Sequence, residues 1–167
     1  MIQQTLIIIK PDGVEKGLTD EIIKRYEVAG LRVIKRKDMM APMHIIEKHY
    51  PMDPSYLRSI GEKTIAAGQK VKSAEDQGRN VVNWLRKFIT SGPIVVLLLE
   101  GENAVAAARN VTGFTDPATA KKGTIRGDLG TDNILDANRE ERPVYNLIHA
   151  SGSEEEAEKE INLWFGE

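Results

Sequence analysis

No cysteine occurs among the 167 residues. A disulfide scaffold, a thiolate zinc site and a cysteine nucleophile are therefore excluded, and a reducing compartment is the natural setting. Long apolar runs are missing too. The longest near the N-terminus, Leu6 to Ile9, is far short of a membrane span, and no charged start with a cleavage site suggests a signal peptide. Neither sign of charge dominates, with 23 basic against 25 acidic residues and a net charge of −2. That balance does not suit a general nucleic-acid or acidic-membrane binder, so any bound anion must be held by a local cluster of cations. Aromatic residues make up only 5%. What is present, 41% hydrophobic and 29% charged residues, fits one soluble cytoplasmic domain with a core of its own.

Leu6-Ile7-Ile8-Ile9 reads as a buried strand closed by the turn residues Pro11-Asp12-Gly13. A helix follows, with Thr19 as N-cap, Ile22, Tyr26 and Ala29 on one face and Gly30 as its stop. Leu31 to Lys37 alternates like a strand, and Met43 to Tyr50 suits a short helix. Pro51 to Gly78 is polar and reads as helical pieces joined by loops, before a helix around Val81, Leu85 and Phe88 that Ser91-Gly92-Pro93 ends. Ile94 to Leu99 reads as a central strand and Glu102 to Val111 as a helix. Gly113 to Pro143 reads mainly as a long loop, a kind of segment that is usually functional or disordered. Tyr145 to His149 suits a short strand, and Ser153 with Glu156 forms a capping box for a last helix with Ala157, Ile161 and Trp164 on its apolar face. This order predicts an α+β, ferredoxin-like split βαβ fold: a four-stranded antiparallel sheet with helices packed on one face.

Several common sites fail on inspection. Gly61-Glu62-Lys63-Thr64 ends like a phosphate-binding loop, but Glu62 occupies a glycine position and would repel phosphate. No G-x-G-x-x-G follows a strand. His44, Glu47 and His49 do not form a metal site, because a spacing of five on a helix sets two histidines about 140° apart; they read as two half-exposed surface histidines. His149 differs. It ends a strand, small residues (Ala150, Ser151, Gly152) leave room around it, and a helix N-terminus follows. Glu160 borders the apolar stripe of that helix, where a carboxylate can accept one ring N–H and leave the other nitrogen free as a nucleophile. Lys10, Arg109, Thr115, Lys121, Lys122 and Arg126 add cations and a hydroxyl near Gly-containing turns. Phosphoryl transfer asks for little more than a nucleophile, fixed positive charge and a metal ion.

Three segments together resemble the nucleoside diphosphate kinase family: Thr5 to Val14 (TLIIIKPDGV); Arg109 through Gly113 and Thr115-Asp116-Pro117-Ala118 to Gly123-Thr124-Ile125-Arg126-Gly127-Asp128; and Asn146-Leu147-Ile148-His149-Ala150-Ser151 with Glu158 to Ile161 and Leu163-Trp164-Phe165 behind it. Ser91-Gly92-Pro93 and His49-Tyr50 also fit. The resemblance implies that His149 becomes phosphohistidine, with Glu160 orienting its ring and Ser151 supporting Glu160. It implies that Lys10, Tyr50, Arg109, Thr115, Arg126 and Asn146 hold phosphates and ribose. It further implies ping-pong transfer of a γ-phosphate from ATP or another triphosphate to a diphosphate, Mg2+ carried by the nucleotide and no protein metal ligand, and a homo-oligomer, hexameric or tetrameric. Ala150, Gly152 and Tyr145 depart from the family's usual glycine, aspartate and arginine. The intervals from Tyr50 to Ser91 and from Arg126 to His149 are longer than usual, giving one domain over 1–167 with expansions at about 52–80 and 129–142. The first interval should hold the base clamp, with Tyr56 or Leu57 as candidates. The expansions are expected to cover or reshape the nucleotide cleft. The alternatives are a non-catalytic nucleotide-binding regulatory module and an RNA-binding sheet. The former is disfavoured by the retained histidine, carboxylate and cations, the latter by the lack of sheet aromatics.

Overall fold

The computed structural model describes residues 1–166. Four strands, β1 (Ile2–Ile9), β2 (Arg32–Met40), β3 (Pro93–Glu102) and β4 (Ile148–Ala150), form one sheet in the order β2-β3-β1-β4 with every pairing antiparallel. That is the expected split βαβ order. From Thr5 onward β1 is buried at every position, and an unbroken buried run means that both faces are covered. Ile7 and Ile9 pack with Val95, Leu97 and Leu99 under α2 (Thr19–Val28) and α6 (Ala104–Thr112). Leu6 and Ile8 face the other way, among Ile46, Leu57, Val82, Ile89 and Trp164. Those residues come from α3 (Met43–His49), α4 (Pro54–Ala66), α5 (Ala74–Ile89) and α9 (Glu154–Phe165). Helices therefore cover two faces, not the expected one, because successive residues of a strand point to opposite sides.

The polar stretch after Pro51 forms an antiparallel-looking pair, α4 and α5, capped at their starts by Asp53 and Ser73. Two of its glycines lie inside the helices, not in loops. A Cβ at Gly61 would stand 1.8 Å from the Ala74 carbonyl oxygen, and one at Gly78 would stand 1.7 Å from that of Leu57. Only glycine allows the two backbones to meet there. The segment expected as a long loop contains two short helices, α7 (Ile125–Leu129) and α8 (Ile134–Arg139), each started by a side-chain cap from Thr124 or Asn133. A short α1 (Pro11–Glu15) occupies the first turn. Thr19 is the first residue of α2 and Leu18 the capping position, without a side-chain cap. Ser153 does cap α9, accepting from the Glu156 amide while Glu156 accepts from the Gly152 amide.

β4 is shorter than its sequence suggests. Leu147 takes a positive φ of 74°, which breaks the extended run before Ile148. Such a conformation is unfavourable for a branched side chain and persists only where surroundings impose it.

Candidate active site

The site grows from β1, β4 and the turn between β1 and α1. The Lys10 amide donates to the Leu147 carbonyl at 2.9 Å, and the Leu147 amide donates to Asp12 Oδ2 at 3.1 Å. These bonds fix the chain on either side of Leu147. On one side, Asn146 accepts from Lys10 Nζ at 2.9 Å and donates to the Thr115 carbonyl at 3.0 Å. On the other, His149 faces Ile8 across the β1–β4 ladder.

His149 Nε2 meets Glu160 Oε2 at 2.5 Å. Ring N–H donating to carboxylate leaves Nδ1 with its lone pair. Burial would raise the Glu160 pKa, but the charge and hydrogen bond of His149 outweigh it and bring the carboxyl down to about 2. Ser151 is buried, and its hydroxyl is held by the Leu6 amide and carbonyl at 3.3 Å. It favours the carboxylate form of Glu160 from close by, while its own bonds go to the strand.

His49 corrects the expectation of a surface histidine. It is buried, its ring lies edge-on to His149 with centroids 4.5 Å apart, and its Nδ1 accepts from the Trp164 indole N–H at 3.2 Å. Burial, and then the charge of His149, lower its pKa to about 3, so it is a neutral neighbour. Its position after a run of helical residues and before Tyr50 gave no sign of this, because its partners come from α9 and β4. His44 is exposed, as expected.

Nitrogen atoms of His49 and His149 and an oxygen of Glu160 lie within 4.8 Å of one another. They are already in direct contact, with separations of 2.5 and 3.1 Å from Glu160. Tetrahedral ligands at about 2.0–2.1 Å from zinc would stand roughly 3.3 Å apart. His149 and Glu160 share a direct hydrogen bond, at a separation shorter than two ligands of one zinc ion would keep.

Beside His149 lies a cleft of about 290 Å³. Lys10, Tyr50, Arg109, Thr115, Arg126 and Asn146 all line it, so every expected binding residue converges on the histidine. Tyr50 is buried, with its ring edge-on to His149 at 6.5 Å. Arg126 is buried and donates to the carbonyls of Asn146, Gly113 and Ile148. Three of its five N–H groups are so committed, and two remain. Burial lowers its pKa to about 10. Burial, followed by the nearby Arg126, brings Lys10 down to about 7. Lys121 and Lys122 are exposed and lie outside the cleft lining.

Both regions read as expansions contribute to the cleft: Tyr56, Ser59 and Lys63 from α4, and Ala137, Asn138 and Arg142 in and after α8. Leu57 is fully buried in the core beneath and does not reach the cleft, which corrects its candidacy as base clamp. Tyr56 does line it, and so do the apolar Val81, Leu85, Pro143 and Val144. Sequence reading missed these four because branched residues and proline carry no stacking signature.

An imidazole oriented by a carboxylate, at the wall of a cleft with converging cations on an α+β split βαβ sheet, defines a phosphate-handling protein. Comparison with known proteins makes this specific. The family model described as nucleoside diphosphate kinase matches residues 3–56 and 67–167. The chain belongs to the nucleoside diphosphate kinase family. It is 44% identical over 176 residues to a nucleoside diphosphate kinase of Pyrobaculum aerophilum, spanning 99% of this chain and 96% of that protein. The crystal structure of an NDP kinase from Pyrobaculum aerophilum matches with a TM-score of 0.92 at 41% identity, covering 99% of this chain and 96% of that one. A transition state mimic of the Borrelia burgdorferi nucleoside-diphosphate kinase, with bound vanadate and ADP, matches with a TM-score of 0.80 at 32% identity over 98% and 87%.

Proposed function

We propose that this chain moves the γ-phosphate of a nucleoside triphosphate to a nucleoside diphosphate through a phosphohistidine at His149. The observation that carries the reading is the His149–Glu160 bond: with Nε2 held by the carboxylate, Nδ1 is the nitrogen available to attack. Its lone pair forms a bond to the γ-phosphorus as the bond to the β–γ bridging oxygen breaks, and the diphosphate leaves with that oxygen's electron pair. The Nε2 proton stays in the bond to Glu160, whose negative charge offsets the positive charge the ring gains. A second diphosphate then takes the phosphoryl group by the reverse step. A covalent intermediate lets donor and acceptor use one site in turn. The vanadate and ADP of the Borrelia burgdorferi relative support phosphoryl chemistry in this cleft.

Lys10, Arg109, Arg126 and Thr115 would hold the phosphates, and Asn146, tied to Lys10, the ribose or the phosphate nearest it. Fixed donors of this kind act where negative charge develops. Tyr50 would pack against the imidazole and close one side. Val81, Leu85, Pro143 and Val144 offer apolar contact to a base without reading its edges, which suits acceptance of different bases.

Magnesium fits as a passenger on the nucleotide. The one cluster of three potential metal ligands among the described residues is nitrogen-rich, whereas Mg2+ prefers oxygen ligands, phosphates among them. When bound with the nucleotide it neutralises phosphate charge. We place the protein in the cytoplasm, as one domain whose two expansions roof the cleft, in a homo-oligomer of four or six copies. Incubation with ATP, Mg2+ and GDP should yield GTP with ping-pong kinetics. Nucleotide binding without GTP formation would instead identify a regulatory module.

A further inference from the structure

Lys63 stands in the Gly-Glu-Lys-Thr sequence that fails as a phosphate-binding loop, and it lies in α4 within residues 57–66, which the family model skips. The chain nevertheless carries its side chain to the cleft beside His149. Lys63 lines the cleft with Lys10, Arg109 and Arg126. It stands close enough that its charge is felt at Lys10, and the charges of Arg126 and Arg109 at Lys63. Surrounding protein and then these two arginines lower its pKa below the ordinary lysine value. One carboxylate, Glu156, opposes the four cations from the cleft wall.

The backbone under Lys63 is fixed. Its neighbour Thr64 is buried and accepts from Asn138 Nδ2 at 3.2 Å, and Asn138 Oδ1 accepts from Gln77 Nε2 at 3.2 Å. This chain of bonds ties α4 to α8 and α5, so the two expansions hold each other over the cleft. Gly61, two residues before Lys63, is the point where α4 meets the start of α5. Packing therefore sets the backbone position of Lys63, while its side chain is exposed and its ammonium makes no hydrogen bond to other described residues. Lys10 and Arg126, by contrast, have already spent donors on the protein. Four like charges converging on one cleft repel one another, and an anion of several charges relieves that repulsion.

We infer that Lys63 is a phosphate-binding residue of this cleft, supplied by the roof rather than by the sheet and its connecting segments. It grips the terminal phosphates of a nucleoside di- or triphosphate together with Lys10, Arg109 and Arg126. The inference rests on the nucleotide reading of the cleft given above. It makes the roof a contributor to affinity, with one positive charge delivered by an expansion.

Calorimetric titration of the full chain with Mg-ADP tests it, using wild type, Lys63→Met and Lys63→Arg at low and high salt. Lys63→Met should weaken Mg-ADP binding about tenfold at low salt and much less at high salt, since a charge contact is screened. Lys63→Arg should restore affinity to within about threefold. Unchanged affinity in Lys63→Met would overturn the inference. So would an equal loss at both salt concentrations that Lys63→Arg fails to restore, since that marks damage to the roof. Failure of the wild-type protein to bind Mg-ADP would overturn the nucleotide reading itself, a result distinct from both.

Discussion

Asp12 and Leu147 lie 135 positions apart, and the carboxylate of the first accepts the backbone amide of the second at 3.1 Å. Because the Lys10 amide grips the Leu147 carbonyl as well, the turn after β1 holds a leucine at a φ of 74°. Relaxing that residue would redirect the chain at Asn146 and at His149. The strain is thus maintained at the point that sets the catalytic geometry. Asp12→Ala leaves a buried N–H unpaired, at about 1–3 kcal/mol. We expect a loss of that size in urea unfolding, with transferase activity falling further than stability alone explains. Activity equal to wild type would show that the clamp does not position His149.

Arg126 is implied by the family resemblance to help hold the phosphates and ribose of a nucleotide. Its three bonds to the carbonyls of Asn146, Gly113 and Ile148 make it a brace between β4 and the segment after α6 as well. Arg126→Ala should therefore lower the melting temperature by several degrees and reduce turnover by a hundredfold or more, as loss of a fixed donor commonly does. Arg126→Lys keeps the charge but not the fork of donors, so it should recover little of either. An unchanged melting temperature in Arg126→Ala would contradict the bracing role.

Lys10 links binding to pH. In the folded chain its pKa is about 7, against 10.5 for an unhindered lysine. Between these values the unfolded chain holds the proton more firmly, so stability attributable to Lys10 rises with pH from about 7 to 10.5, and the burial penalty is full below 7. Phosphate binding favours the charged form and raises the pKa again. Mg-ADP binding at pH 8 should then take up protons, and affinity should decline as pH rises above 7. Calorimetry in two buffers of different ionisation heat measures the uptake, which Lys10→Met should largely remove. Equal uptake in both proteins would assign the titration elsewhere.

The pairing of α4 with α5 depends on two glycines at one helix crossing. Gly78→Ala would place a methyl group 1.7 Å from the Leu57 carbonyl oxygen, which backbone displacement alone can relieve. Overpacking of this kind costs typically about 1–3 kcal/mol. Hydrogen exchange should accelerate across α4 and α5 while the sheet stays protected, and Mg-ADP should bind more weakly. Unaltered exchange in α4 would mean that the crossing tolerates a side chain.

The sheet was legible in the sequence from local patterns, and the convergence of Lys10, Arg109, Arg126, Asn146 and His149 from the three segments that resemble the nucleoside diphosphate kinase family, not from periodicity. The Leu6–Ile9 run already implied burial on both faces, which the one-face expectation overlooked. His49 was not legible. Its burial depends on Trp164 and Glu160, which are over a hundred positions away, and local periodicity carries no trace of such partners. Leu57 misled for a similar reason, since a leucine in a polar stretch can face the core or a ligand. Lys63 was visible only as part of a motif that failed; the position of its helix over the cleft is decided by the Gly61–Ala74 contact and the Thr64–Asn138 bond.

The nitrogen that carries the phosphoryl group tests the account most directly. Incubated with γ-labelled ATP and Mg2+, the wild-type chain should take up acid-labile, alkali-stable label that His149→Gln does not. Nitrogen NMR of the labelled protein should place the phosphorus on Nδ1, because Glu160 holds Nε2. An unlabelled wild-type chain, label persisting in His149→Gln, or phosphorus on Nε2 would contradict it.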